Sequence, residues 1–373
     1  TLFMILLFFI SIGLSIGYIF LLQWITEGWE VFIPYKGGNP STKVSIIIAA
    51  RNEEANIANC LSSIYKNKYP QDLFEIIVVD DQSKDRTAAI VKEQFPQVTL
   101  LYTIKNQGKK AAIQLAANRA QGELLMFTDA DCIVPEKWLD TLVSNYNPEL
   151  VNFIAAPVQI DLEDTNLSRF QYLDVAATMA VTANGILRKS YYSANGANMA
   201  VNRKIFLELY SSRLDGEIAS GDDMFTIQYL AKQDPSKITF VRSLDATVTT
   251  KGEETLSDLL SQRKRWAGKS RHYPEKNIVL VQGYVFLLVA LMLFNLVFGF
   301  LTNGTAVFIA VLMLFIKITM DYLFLSHLCK HNRKEEATKK YIISAAFYNL
   351  YILFAGLVAM FPGKYDWKGR RLN

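Results

Sequence analysis

Four stretches too long and too apolar to be ordinary core helices bracket a charged centre, and no other feature limits the fold as strongly. Residues 2–24 and 278–302 carry no charged side chain, 304–326 is interrupted only by Lys317 and Asp321, and 341–361 is again uncharged. Each exceeds the roughly 18 apolar residues that read as a membrane-spanning helix. Half of the chain (51%) is hydrophobic and 20% is charged, so bunching the apolar residues at the two ends leaves the middle fit to fold in water. The expected organisation is a spanning helix over 1–25, a soluble domain with membrane-interface helices over 40–273, about three spanning segments over 278–361, and a basic tail over 362–373. The first segment lacks a basic leader, outruns the roughly 7 to 15 apolar residues of a signal core, and is followed by no small-x-small cleavage site. It is expected to be a retained anchor.

Lysine and arginine set the expected orientation. They are frequent between 36 and 276, and the loop from His327 to Lys340 holds Lys330, Arg333, Lys334, Lys339 and Lys340, which places the soluble domain and this loop on the cytoplasmic side. Three full spans after the domain would send the tail outside, yet it carries Lys364, Lys368, Arg370 and Arg371. A re-entrant or interfacial segment over 341–361 would return it to the cytoplasm. A net charge of +4, with no basic stripe interleaved with aromatics, gives no support for nucleic-acid binding. Cys60, Cys132 and Cys329 are widely spaced and odd in number, so they suggest neither a disulfide framework nor a zinc site.

Within the centre, Val44-Ser-Ile-Ile-Ile-Ala-Ala50 is a short uncharged run rich in β-branched residues, as expected of a strand covered on both faces. Helical and extended segments then alternate: a helix near 54–65, a strand over 74–79, a helix near 85–94, a strand near 97–102, a helix near 109–120, and a strand ending at Asp129. Alternation of this kind implies a mostly parallel sheet with right-handed crossovers. The glycine fingerprints of dinucleotide and P-loop sites are both absent. Residues 166–187 read either as an amphipathic helix on the membrane surface or as a buried one, and 254–267 reads as a last helix.

Polar stations punctuate this alternation. Asp129-Ala130-Asp131 closes an apolar run, where paired oxygens suit a hard divalent cation bridging to phosphates; turn or helix-cap carboxylates are the plainer reading. Asp80 ends an earlier strand, with Ser83 and Asp85 placed to cap the next helix. Gly108-Lys109-Lys110 opens a helix, suited to an anion or else simply solvated. Ser220-Gly221-Asp222-Asp223 precedes a helix and offers a general base or a cap. Gln262-Arg263-Lys264-Arg265-Trp266 offers a guanidinium for a diphosphate and an indole for an acceptor, or a basic flank with an interfacial Trp.

In order and spacing these stations resemble family 2 glycosyltransferases of the GT-A fold, in the membrane-bound branch of ceramide glucosyltransferases and hyaluronan and cellulose synthases. The resemblance covers about 40–270, and Gln-x-x-Arg-Trp after three acidic stations is its most specific part. It implies an α/β nucleotide-sugar-binding domain with a Rossmann-like, mostly parallel sheet and transmembrane helices at both ends. By position, Ala50, Arg51, Glu53 and Asp80 would contact the uracil and ribose of a UDP-sugar, with Lys109 near the nucleotide. Asp129, Ala130 and Asp131 match the family's Asp-x-Asp, Asp129 and Asp131 holding Mg2+ or Mn2+, with Asp131 the direct ligand. Asp222 falls at the catalytic base; relatives often carry Glu-Asp there, so Asp223 is the other candidate. Gln262, Arg265 and Trp266 would cap the diphosphate and the acceptor end, and Asn195, Gly196 and Asn198 resemble an acceptor-side loop. Asp366-Trp367-Lys368-Gly369-Arg370 resembles the Trp-x-Gly-Arg ending of some relatives.

The implied activity is inverting transfer from a UDP-sugar to the hydroxyl of a membrane lipid. A processive polysaccharide synthase is the alternative, and a nucleotidyltransferase or a non-catalytic sugar-nucleotide sensor are readings of other classes, since fold alone does not settle function.

Overall fold

The structure is a computed structural model that describes residues 2–31, 39–104, 108–212, 222–269, 276–302, 304–360, 365–367 and 370–372. A long first helix, α1 (Leu2–Glu30), leads to β1 (Val44–Ala50). There follow α2 (Ile57–Tyr65), β2 (Phe74–Asp80), α3 (Thr87–Gln94), β3 (Thr99–Tyr102), α4 (Gly108–Arg119) and β4 (Leu124–Phe127). These four strands run parallel, as the alternation predicts, and lie in the order β3-β2-β1-β4. β1 is buried along almost its whole length and β4 throughout, which accounts for their lack of charge. The helices bury one stripe each, Ile57, Cys60, Leu61 and Ile64 in α2 and Ala112, Ile113, Ala116 and Ala117 in α4, at the three-and-four spacing that a helix packed on a sheet requires.

The second half of the sheet runs differently. After α5 (Trp138–Ser144), β5 (Phe153–Ala155) and β6 (Val158–Ile160), the helix α6 (Asn166–Leu187) precedes β7 (Met199–Asn202). β7 enters antiparallel to β4 and to β5, and β8 (Ile238–Phe240) closes a seven-stranded sheet; β9 (Val248–Thr250) pairs with β6 apart from it. Because β7 points the other way, the loop before it lies at the same sheet edge as the ends of β1, β2 and β4. The helices α7 (Arg203–Ser212) and α8 (Asp222–Gln233) pack beside β7 and β8, and α9 (Leu256–Lys269) follows β9.

Among the described residues four helices are long and apolar enough to cross a membrane: α1, α10 (Asn277–Leu301), α11 (Thr305–His331) and α12 (Tyr341–Met360), the last over 341–358. The first and third run past their apolar stretches, and the end of α1 is fastened to the soluble domain. There Arg242 donates to the Trp29 carbonyl at 2.5 Å and pairs with Glu30 at 3.1 Å, and Arg188 pairs with Glu27 at 3.2 Å. Gly28 is needed at this crossing, since a β-carbon there would lie 2.0 Å from Asn184 Oδ1 of α6. Of the two readings of 166–187, the buried one is observed: α6 packs against α1, α11 and α12 and is buried without a break from Ser168 to Ala176. Lys317 and Asp321 pair at 2.5 Å inside the spans, where Tyr18 also donates to Asp321. The hairpin β10 (Tyr365–Trp367) and β11 (Arg370–Leu372) follows α12, and both α12 and β10 lie beside α9.

Candidate functional site

The ends of β1 and β2 are stitched into one surface. Arg51 donates to the carbonyls of Asp81 at 2.6 Å and Gln82 at 3.2 Å, and the Asp81 amide donates to Ala50 at 2.8 Å. Thr103 holds the Asp81 carboxylate at 2.9 Å. Asn52 and Gln82 both take left-handed backbone, with φ of 52° and 59°, a conformation that clusters where surroundings over-determine it. Ser83 accepts from the Asn52 amide at 3.0 Å, and Thr87 from that of Glu53 at 2.7 Å. Burial pushes the Asp85 carboxyl up, but hydrogen bonds from Thr87 and the Glu54 amide outweigh it and hold the group below its usual range. Asp85 thus takes the Thr87 amide at the start of α3, whereas Ser83, expected as a cap, ties back to Asn52, and the N-cap position is held by Arg86. Asp80 is different. Its side chain is buried, Oδ2 accepts from the Ser83 amide at 3.2 Å, and Oδ1 has no partner among the described residues. A buried carboxylate oxygen left open at a strand end is an acceptor awaiting a donor.

Asp129 and Asp131 sit two and four residues past β4, in a turn closed by the Cys132 amide on the Asp129 carbonyl at 3.1 Å. Lys109, at the start of α4, pairs with the Asp129 carboxylate. Beneath the turn, Cys60 contacts the Asp129 carbonyl at 3.5 Å and Cys132 the Asp131 carboxylate at 3.6 Å. Burial, then the two carboxylates, push both thiols up, so they form a neutral floor under the acidic turn. Sequence spacing gave no hint of this, since the cysteines lie 72 residues apart.

The loop before β7 meets this turn. The Gly196 amide donates to Asp223 Oδ2 at 3.0 Å, and a β-carbon on Gly196 would stand 3.5 Å from that oxygen and 3.7 Å from Lys109 Nζ. Asp223 Oδ1 accepts from the Met224 amide at 2.8 Å. Asp222 opens α8; its side chain and Ser220 and Gly221 lie outside the described residues. Asn195 and Gly196 are partly exposed, whereas Asn198 is fully buried, bonded to the Trp138 indole at 2.9 Å and to the carbonyls of Pro157 and Ala246 at 2.6 and 2.7 Å. Asn198 therefore braces the loop from behind and presents nothing outward.

On α9, Gln262 donates to Glu253 at 2.6 Å, Trp266 is 39% exposed, and Arg265 is half-buried. Between them Arg263, unassigned by the sequence reading, is buried, pairs with Asp174 of α6 at 2.7 Å, and stacks over the Trp266 ring at 4.2 Å. Burial pushes the Asp174 carboxyl up and Arg263 pulls it only partly back. The stack was readable from spacing, because residues three apart share a helix face; the partner on α6 was not.

Among the described residues no three carboxylate, thiol or imidazole side chains converge to hold a metal by themselves. Asp129 and Asp131 are hard oxygen donors, the first already paired with Lys109. The set fits a Mg2+ or Mn2+ ion taking one or two protein carboxylates and the rest of its shell from phosphate and water.

Strand-end carboxylates and a basic helix start thus gather at the carboxyl edge of an open α/β sheet, where folds of this type bind ligands. The family described as Glycosyl transferase family 2 matches residues 45–209. Similar curated proteins include the beta-monoglucosyldiacylglycerol synthase of Synechocystis sp., 34% identical over 28% of this chain and 23% of that protein. The dolichyl-phosphate beta-glucosyltransferase ALG5D of Trichomonas vaginalis is 37% identical over 26% and 34%. The chain spans 23% to 65% of the lengths of the first curated relatives it matches. Among solved structures, the mannosyltransferase PcManGT of Pyrobaculum calidifontis in complex with GDP-Man and Mn2+ covers 92% of this chain and 99% of its own, with TM-score 0.53 and 21% identity. That likeness shows the fold.

Proposed function

We propose that the protein is an inverting, metal-dependent glycosyltransferase that moves a sugar from a UDP-sugar to a hydroxyl of a membrane lipid, with its catalytic domain on the cytoplasmic face. The observation that carries this reading is a convergence at one sheet edge. The open oxygen of Asp80, the Lys109–Asp129 pair and the Gly196–Asp223 contact share the carboxyl edge, and α9 with its exposed Trp266 packs beside α12. Relatives named for diacylglycerol and dolichyl-phosphate glucosylation support a lipid acceptor.

On this reading Ala50, Arg51, Glu53 and Asp80 hold the nucleoside. Asp131, with Asp129, would hold the Mg2+ or Mn2+ ion, whose charge, when bound, offsets that of the leaving diphosphate. Lys109, Gln262 and Arg265 add fixed donors on the same side. Asp222 takes the acceptor proton: the O–H bond breaks, the freed oxygen bonds the anomeric carbon, and that carbon's bond to the diphosphate oxygen breaks on the opposite face. One displacement inverts the centre once, so no enzyme nucleophile is required. Both oxygens of Asp223 already accept backbone N–H bonds, which supports Asp222 as the base and Asp223 as the brace of the acceptor-side loop.

The test is incubation of the purified full chain with a panel of UDP- and GDP-sugars and total membrane lipid, identifying the product by mass. A single glycolipid is expected. A polymer ladder would make it a polysaccharide synthase, and pyrophosphate release from NTP a nucleotidyltransferase.

A further inference from the structure

A cavity of about 100 Å³ lies where α1, α10, α11 and α12 meet α6, on the scale of engineered apolar cavities that admit a benzene. Its lining on α1 runs from Tyr18 to Ile25, twelve to five residues before that helix ends at Glu30. At 1.5 Å per residue this is roughly 8 to 18 Å from the end fastened to the soluble domain, the depth of one leaflet's hydrocarbon. Leu22, Leu173, Val181, Val285 and Phe324 make apolar wall. The polar lining is acidic and hydroxyl-bearing: Asp174, Asp321, Tyr18, Ser344, Tyr341 and Tyr348. Among the described residues no lysine or arginine lines it. Lys317 is drawn onto Asp321 at 2.5 Å, and Arg263 reaches Asp174 from α9.

We propose that this cavity holds the first few carbons of the acceptor's hydrocarbon chain, with its polar end toward Asp174, and that it takes an uncharged, hydroxyl-bearing lipid in preference to a lipid phosphate. This rests on the glycosyltransferase reading above. Carboxylates and phenols accept hydrogen bonds from a lipid hydroxyl, whereas a lipid phosphate would lose its water here while the described cations beside the wall, Lys317 and Arg263, are committed to Asp321 and Asp174. Asp174 joins the two compartments, since the residue that lines the cavity also holds the guanidinium stacked on Trp266.

The full chain in phosphatidylcholine nanodiscs is labelled with a photoreactive diacylglycerol and competed with plain diacylglycerol or with a polyprenyl phosphate, while UDP binding is measured in parallel. The label is expected on α6 and α10 peptides, with diacylglycerol competing at a concentration at least tenfold lower than the phosphate. A177W and the smaller change V181F should each cut labelling tenfold or more. Equal or better competition by the phosphate, labelling elsewhere, or labelling that neither variant reduces overturns the proposal. Wild-type protein that binds UDP but takes no label in the cavity defeats the cavity assignment alone; failure to bind any nucleotide or sugar nucleotide defeats the glycosyltransferase reading instead.

Discussion

The donor edge and the membrane edge of this domain hold their polar groups in opposite ways. At the ends of β1 and β2 the polar groups are tied within neighbouring loops by several hydrogen bonds: Arg51 to two carbonyls, Asp81 to the Thr103 hydroxyl, and Asp85 to the Thr87 amide and hydroxyl and the Glu54 amide. At the membrane edge the ties are ion pairs in apolar surroundings, Arg263 of α9 to Asp174 of α6, and Lys317 to Asp321, to which Tyr18 of α1 also donates. Several short hydrogen bonds that support one another make a template that tolerates loss of one member. Buried ion pairs are different, because removing one partner strands the other. The donor edge is built to present one open oxygen, and the membrane edge to hold charges that would otherwise be costly.

The comparison breaks most sharply at the chemistry. Asp131→Ala should abolish metal-dependent turnover, and Asp222→Asn should abolish turnover while UDP affinity stays within a few-fold; near-normal rates for Asp222→Asn would remove it as the base. Next comes the membrane edge. Asp174→Ala leaves Arg263 buried without its carboxylate and should cost about 3–5 kcal/mol, whereas replacing both with apolar residues should be nearly neutral. Thermal unfolding of the single and double variants checks this, and equal losses would deny that the pair acts as a unit. At the donor edge, Asp80→Ala should weaken UDP binding roughly 10- to 100-fold, as expected for a charged hydrogen bond of about 1.5–3 kcal/mol; titration calorimetry reads it. The smallest effect concerns the floor of the acidic turn. A thiol whose pKa is raised stays protonated to higher pH, and alkylation needs the thiolate. Cys60 and Cys132 should therefore resist iodoacetamide at pH 8 in the folded chain and react once it is unfolded, with mass mapping as the readout.

How much was legible follows the same division. The strands β1 to β4, their parallel direction and the strand-end acids could be read from Val44–Ala50, from Phe74–Asp80 and from the turn at Asp129, because local periodicity reports burial on a sheet. Strand β4 stops two residues short of Asp129, because the Thr128 amide makes the last contact with β1 and the chain then turns. The second half resisted reading because its strands are three or four residues long and their pairing is set by distant partners. Asn198 shows the limit within the site. A polar residue in a promising loop reads alike whether it faces a ligand or a carbonyl, and only the fold places it behind Trp138. Arg263 and Asp174 were hidden in the same way, each unremarkable until α6 and α9 are brought together.

The reversed strand β7 has a consequence for how such an edge can change. Strands β1, β2 and β4 deliver their loops as they leave the sheet, while Asn195–Asn198 arrives at the same edge as the chain comes in. Two independent stretches of sequence thus furnish neighbouring walls, so variation in the incoming loop can alter one wall without disturbing the register of the strands that build the other.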